Sequence, residues 1–185
     1  MKKTHKGHLG KALLMGTALV SLSAVEAQAV TGTGSVSAIV LAPITVTNQT
    51  TLHFGSFTIA NATTGTVVIP AATGGAGRSV TGGVNDIAGA GLESAGALRI
   101  TAATAVAMDV AMQAGPFVVT GAGPDMTLSN FHLVTDAGGT TATVTIPATA
   151  TFIDVPVGAT LTTGTGALQT AGTYTGTYNV DVTYQ

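Results

Sequence analysis

The chain has 185 residues, with no cysteine, no tryptophan and 8% charged residues. Four of its six basic residues precede the apolar stretch 12–25, which is followed by Ala27-Gln28-Ala29. This order of segments predicts a secretory signal peptide over residues 1–29, cleaved after Ala29. The apolar stretch has 14 residues, against about 20 for a helix that crosses a bilayer, so cleavage is favoured over an uncleaved anchor.

Cleavage leaves 156 residues with two arginines, Arg78 and Arg99, against seven acidic residues, a net charge of about −5. Nucleic acid is excluded as a partner because neutralising a phosphate backbone requires clustered lysine and arginine side chains. No transmembrane segment is expected after cleavage, because no later stretch is apolar over the required length. The length indicates one domain, and without disulfides its stability must come from packing and backbone pairing.

The first predicted element is an N-terminal arm over residues 30–43. Its strand-like part, residues 35–42, places Val36, Ala38, Val40 and Ala42 on one face, and we consider it a candidate donor strand. Pro43 interrupts the alternation, as proline is tolerated only at strand edges and breaks. We therefore predict a separate first body strand over residues 44–46, which opens a β-domain over residues 44–185.

The body of the chain is rich in threonine, a β-branched residue that favours strands and occurs 32 times after residue 29. Residues 106–112 alternate between apolar and other side chains. Further strand-like runs are 66–70, 98–102, 117–120, 126–134, 141–147 and 151–155, with turn-rich pieces at 74–77, 82–86, 121–125 and 136–139. Short strands with no helical pattern between them predict an all-β protein, an antiparallel sandwich or barrel.

The clearest alternation lies at the C-terminus, between residues 173 and 184. The odd positions there are all polar. The even positions are Tyr174, Gly176, Tyr178, Val180, Val182 and Tyr184. Strict alternation over twelve residues predicts a half-buried strand.

Residues that could carry catalysis are sparse. His53 and His132 are the only histidines after residue 29, and neither has a partner at a metal-ligand or catalytic spacing. Ser129 and His132 lie three apart, a spacing that on a regular strand puts them on opposite faces. Asp136 precedes glycines, as in any turn. The sequence therefore predicts no catalytic residue, no metal site and no cofactor.

Several fragments together resemble an exported bacterial family known as domain of unknown function family 4402. They cover most of the chain after residue 29 and are residues 44–46, 52–57, 126–131, 157–161, 171–178 and 182–184. The family has no assigned activity, so the resemblance implies a β-sandwich and nothing about chemistry.

The C-terminus also resembles that of chaperone-usher pilins and the related spore coat U type proteins. Those subunits end in an alternating strand with a penultimate tyrosine and a glycine fourteenth from the end, which are Tyr184 and Gly172 here. The resemblance implies an immunoglobulin-like, pilin-like sandwich that lacks one strand. A strand from a periplasmic chaperone completes it first, and the arm of the next subunit replaces that strand, both by β-augmentation. Assembly residues implied in this way are Gly172, Tyr174, Tyr178, Val180, Val182 and Tyr184.

The function expected from these observations is structural. The chain is interpreted as an exported subunit of a pilus-like or other surface fibre, assembling with itself or with other surface subunits in the periplasm, on the outer cell surface or outside the cell. The alternative is a self-complete secreted sandwich that acts as a binding module or surface-coat protein. An enzyme is the third and least favoured interpretation.

Overall fold

Twelve β-strands form the regular structure of the computed structural model, which describes residues 30–60, 63–72, 77–87, 92–134, 139–164 and 169–185. They are β1 Thr45–Thr50, β2 Phe57–Ile59, β3 Gly65–Ile69, β4 Ser79–Gly82, β5 Val84–Asp86, β6 Gly96–Thr101, β7 Ala107–Met112, β8 Phe117–Val119, β9 Met126–Leu133, β10 Thr141–Thr145, β11 Ile153–Thr162 and β12 Val180–Tyr184. All their pairings are antiparallel, and the described residues contain no helix. The predicted all-β, antiparallel, sandwich-like fold is confirmed.

The chain divides into two units, Met1–Ala38 and Ile39–Gln185, and the twelve strands belong to the second. In the first unit the structure describes residues 30–38, which form no strand and are exposed. The predicted signal peptide, residues 1–29, lies outside the described residues. Over the part of the chain that is described, no helix is long and apolar enough to cross a membrane.

The longest strand, β11, organises the larger sheet of seven strands. Val157 pairs with both β9 and β6, while Leu161 pairs with both β9 and β3. Because a strand residue has one neighbour on each edge, β9 occupies one edge of β11, and β6 and β3 follow one another along the other. Beyond these neighbours, β1 pairs with β6, β4 with β3, and β8 with β9.

A smaller sheet of three strands has the order β10-β7-β12. Asp109 on the central strand pairs with Thr143 of β10 and with Thr183 of β12, so the outer face of this sheet is polar. A short antiparallel pair, β2 with β5, forms the third sheet.

The main core lies between the larger sheet and the three-stranded sheet. Ile100 and Val157 come from the larger sheet, Met108 and Val110 from the smaller one, and all four side chains are fully buried. Complete burial of each such side chain stabilises the fold by about 1.5 to 3 kcal/mol. A second cluster joins Val67, Val84, Val119, Met126 and Leu161.

Most predicted strands have a counterpart in the structure. The runs at 66–70, 98–102, 106–112, 117–120, 126–134 and 141–147 correspond to β3, β6, β7, β8, β9 and β10, and the first body strand corresponds to β1. The run at 151–155 is only the start of β11, which continues to Thr162. β2, β4 and β5 have no counterpart among the predicted strands.

Two predictions about local structure are wrong in part. The predicted turn at 82–86 is limited to Gly83: Gly82, with a φ of 67°, ends β4, and residues 84–86 form β5. The predicted strand at 173–184 is continuous only from Val180. Before it, Thr175 makes a single bridge to Thr120, next to β8 of the larger sheet, so the C-terminal segment passes from one sheet to the other.

Strand β9 contains a bulge that reverses its alternation. Its pairing with β11 shifts between Ser129 and His132, and Asn130 between them has a φ of 47°. Leu128 and Phe131 consequently both point inward, while Ser129 and His132 lie on the same outer face. The expectation that Ser129 and His132 lie on opposite faces is therefore wrong, because an inserted residue breaks the period of two.

Candidate functional site

Strand β12 forms one edge of the three-stranded sheet, and no described strand pairs with its outer edge. The Gln113 N–H donates to the Asn179 carbonyl at 3.0 Å, so odd-numbered residues of this segment bond to β7. Bonded and non-bonded pairs alternate along an antiparallel ladder. The backbone N–H and C=O groups of Val180, Val182 and Tyr184 therefore point toward the open edge.

An open gap separates β12 from β1, the edge strand of the larger sheet. Its volume is about 380 Å³. Its lining is mixed, with apolar Val46, Leu98, Tyr178 and Val180 beside polar Asn48, Gln113 and Asn179. We call this space the β1–β12 gap. The side chains of Tyr178, Val180, Val182 and Tyr184 pack against the main core and yet remain only half-buried. Tyr178 and Val180 among them line the gap directly.

Tyr178 forms the floor of one end of the gap. Its ring packs on Phe131 with 5.6 Å between ring centroids, and Phe131 in turn makes an edge-on contact with Phe117 at 5.0 Å. A Cβ atom at Gly96 would lie 2.8 Å from the Tyr178 hydroxyl oxygen, so this approach requires glycine. Burial raises the pKa of Tyr178 above its ordinary value.

Tyr184 lies at the other end of β12 and joins three segments of chain. Its hydroxyl oxygen accepts a hydrogen bond from the Ala103 N–H at 2.7 Å, in the loop after β6. The same hydroxyl donates to the Ala42 carbonyl at 2.7 Å. The end of β12 is thereby connected to the segment that leads into β1.

The candidate donor strand has large apolar side chains in solvent. Val36, Ile39 and Val40 are 98%, 89% and 95% exposed, and residues 35–42 form no strand. The exposed fraction falls to 40% at Leu41. Removing these apolar side chains from water would be favourable, and exposed apolar surface of this kind marks a site of interaction.

The residues implied by resemblance do not all lie together. Tyr178 and Val180 line the gap, and Val182 and Tyr184 continue along its edge strand. Tyr174 instead packs in the second cluster, and its hydroxyl donates to the Thr170 carbonyl at 2.9 Å. Gly172 is exposed, and the nearest atom to a Cβ built on it is 3.4 Å away, in Ala122. Neither Gly172 nor Tyr174 is among the residues that line the gap.

The residues considered for chemistry are not gathered into a site. His53 Nδ1 accepts a hydrogen bond from the Gly55 N–H at 2.9 Å and so shapes its own turn. His132 lies half-buried on the outer face of β9, opposite Gly158. Asp136 lies outside the described residues. Among the residues that are described, no group of three or more histidine, aspartate or glutamate side chains could hold a metal ion.

Both arginines of the domain hold the fold, a role that the sequence alone does not show. The Arg78 side chain is 4% exposed, donates to the carbonyls of Phe54 (2.9 Å) and Ser56 (3.0 Å), and pairs with Asp86. A Cβ atom at Gly55, which has a φ of 74°, would collide with Arg78. The spacing of these residues along the chain gives no signal for such a long-range cluster.

Arg99 and Asp154 form a two-pronged ion pair across β6 and β11, with both N–O distances at 2.8 Å. The guanidinium carbon also lies 3.8 Å from the centre of the Phe152 ring. The hydrogen bond from Arg99 lowers the pKa of Asp154 below its ordinary value. Neither Arg78 nor Arg99 is among the described residues that line the β1–β12 gap.

Comparison with known proteins gives one match. A family described as "Domain of unknown function (DUF4402)" matches residues 44–184, the segment from the start of β1 to the end of β12. No curated protein and no solved structure matches the chain.

Proposed function

The chain belongs to the DUF4402 family, whose function is unknown, and we propose that it is an exported, non-enzymatic subunit of a surface fibre that assembles by strand exchange. In this proposal the arm of one copy, residues 35–42, enters the β1–β12 gap of the next copy. The protein then works in the periplasm, on the outer cell surface or outside the cell, and its chemistry is backbone pairing and apolar burial.

The open edge of β12 carries this proposal. Val180, Val182 and Tyr184 direct backbone donors and acceptors outward, while their side chains are half-buried over the main core. An added strand would pair with these backbone groups and cover the half-buried side chains at the same time. In such a mode of binding, main-chain hydrogen bonds give affinity and alternate side chains fill pockets. A ligand pocket for a small molecule fits less well, since the gap runs along a strand edge.

The arm has the length and pattern that this edge requires. Eight residues in an extended strand span about 26 Å, and the five residues of β12 span about 17 Å. Val36, Ala38, Val40 and Ala42 would face the apolar part of the mixed lining of the gap, with Ser35, Ser37, Ile39 and Leu41 on the opposite face. The exposed state of Val36 and Val40 means that little existing structure is lost when the arm binds.

Resemblance adds support from the two ends of the chain. Chaperone-usher pilins and spore coat U type proteins combine an alternating N-terminal arm with a C-terminal strand that ends on a penultimate tyrosine. Tyr184 has this position here and belongs to the edge strand. A chaperone strand in the gap before assembly is part of the same proposal.

The test compares fibre formation by the exported protein and its arm variants, using electron microscopy and size-exclusion chromatography. Deletion of residues 30–42 is expected to abolish fibres and leave a folded domain once the gap is filled by a peptide of residues 35–42. Val40→Asp should also abolish fibres, since an unpaired charge is costly in an apolar slot. Ser37→Asp is the matched control on the opposite face and should still assemble.

Two results would reject the proposal. Fibres that form without residues 30–42 would show that another surface assembles the protein. Unfolding of the deleted domain even with peptide present would show that the arm belongs to its own fold, which is the self-complete secreted sandwich described above.

A further inference from the structure

The hydroxyl group of Tyr184 lies where β12, the loop after β6 and the base of the arm meet. Its two hydrogen bonds, from Ala103 N–H and to the Ala42 carbonyl, are both 2.7 Å long. Ala42 precedes Pro43, so the peptide bond between them has a carbonyl but no N–H. The bond from Tyr184 therefore uses the one main-chain polar group that this junction offers.

The exposure of the arm changes at this junction. Val40 is 95% exposed and Leu41 is 40% exposed, so the exposed fraction more than halves within two residues of the Ala42 carbonyl. Pro43 fixes its own φ near −65° and restricts Ala42 to extended conformations. The junction therefore combines a conformationally restricted backbone with one anchored carbonyl.

We propose that the Tyr184 hydroxyl is a positioning group for the arm: it anchors Ala42 at the end of the β1–β12 gap and presents the arm to a second copy. This inference rests on the proposed function, and it adds a specific task for one hydroxyl. The proton of this hydroxyl is already donated within its own domain, to the Ala42 carbonyl, so the group has no further donor for an incoming strand.

The anchor also restricts what an arm can do within its own copy. The arm runs toward Ala42 and β12 runs toward Tyr184, and these two ends are hydrogen-bonded to each other. An arm folded back on its own edge strand would therefore run parallel to β12. Parallel pairing is slightly less stable per residue than antiparallel pairing, and an arm from another copy is free to adopt the latter.

The test uses the exported protein, with Tyr184→Phe beside Tyr174→Phe. Each variant keeps the ring and removes one hydroxyl, and the Tyr174 hydroxyl donates to the Thr170 carbonyl, away from the gap. The first readout is amide hydrogen exchange at Ala103, expected to be about three- to tenfold faster in Tyr184→Phe, as for the loss of one hydrogen bond. The second is mobility of the Leu41 methyl groups by NMR, expected to rise in Tyr184→Phe alone.

The third readout is the rate of fibre formation, which should fall about three- to tenfold in Tyr184→Phe and remain at the wild-type rate in Tyr174→Phe. Unchanged Ala103 exchange and Leu41 mobility would overturn the inference, and so would altered mobility with an unchanged rate. If the wild-type protein forms no fibres, the proposed function fails, and the first two readouts then decide the positioning role alone.

Discussion

The two edges of the three-stranded sheet differ in how well they cover the core. On the β10 side, Val144 is 6% exposed and Ile146 is fully buried. On the β12 side, Val180, Val182 and Tyr184 are all half-buried, although they alternate in the same way and pair with the same central strand. The sandwich is therefore closed along one edge and open along the other.

The difference shows that an unpaired strand edge is not by itself an assembly site. The outer edge of β10 also pairs with no described strand, and its free backbone groups belong to Thr141, Thr143 and Thr145. On β10 Val144 is already buried and the half-buried Ala142 is small, so a strand added there gains hydrogen bonds and little burial. A strand added to β12 gains both, which is why we propose that edge as the site of assembly.

A charge on each edge strand should give the largest contrast. Val144→Asp buries an unpaired carboxylate in a closed core, at a cost of several kcal/mol against a total stability of about 5 to 15 kcal/mol, so the domain should not fold. Val182→Asp places its charge beside the open gap, so the domain should fold but fail to assemble. Circular dichroism and size-exclusion chromatography check both. Equal losses of folding in the two variants would mean that the β12 side is closed as well.

Proline on each edge should separate backbone pairing from folding. Val182→Pro and Thr143→Pro each remove an outward N–H and leave the pairs with β7 intact, as edge strands permit. A peptide of residues 35–42 should stabilise the domain lacking residues 30–42 by about 2.7 kcal/mol at roughly 100 times its Kd. Thermal unfolding should show this gain kept in Thr143→Pro and lost in Val182→Pro. The reverse pattern would move the binding edge to β10.

Tyr178 should report occupancy of the gap. Burial raises its pKa above the ordinary value of 10.0, and a strand bound in the gap should raise that pKa further. Its contribution to stability is fully present below the ordinary pKa and is lost as the pH rises through the raised value. Phenolate absorbance, with Tyr178→Phe to identify the transition, measures the shift. A titration that the peptide leaves unchanged would show that no strand covers Tyr178.

The Arg99–Asp154 pair should give the smallest effect, and one that is independent of the gap. Because the pKa of Asp154 is lowered, its stabilising contribution is present above the ordinary carboxyl range and is lost as the pH falls through the lowered value. Asp154→Asn should therefore slightly reduce the fall of the melting temperature at acidic pH. The effect should be small because exposed ion pairs contribute little to stability. A change in peptide binding by this variant would contradict the separation of the two regions.

The sequence predicts local strands better than the surface they form. Alternation at Val180, Val182 and Tyr184 predicts a half-buried strand. It cannot show that this strand pairs with β7, where Val182 lies opposite Val110, 72 residues earlier, or that a gap separates it from β1. The sequence also does not predict the bulge at Asn130, where one inserted residue reverses which face of β9 the following side chains occupy. The hydrogen bonds of Tyr184 to Ala42 and Ala103 depend on tertiary packing, which no local pattern encodes.

Backbone amide exchange on the domain lacking residues 30–42 tests the central claim most directly, because it observes the two edges at once. With the peptide of residues 35–42 in excess, we predict slower exchange at Val180, Val182 and Tyr184 and unchanged exchange at Thr141, Thr143 and Thr145. Protection of the β10 amides, or of neither set, would contradict the claim that β12 is the edge that receives the arm.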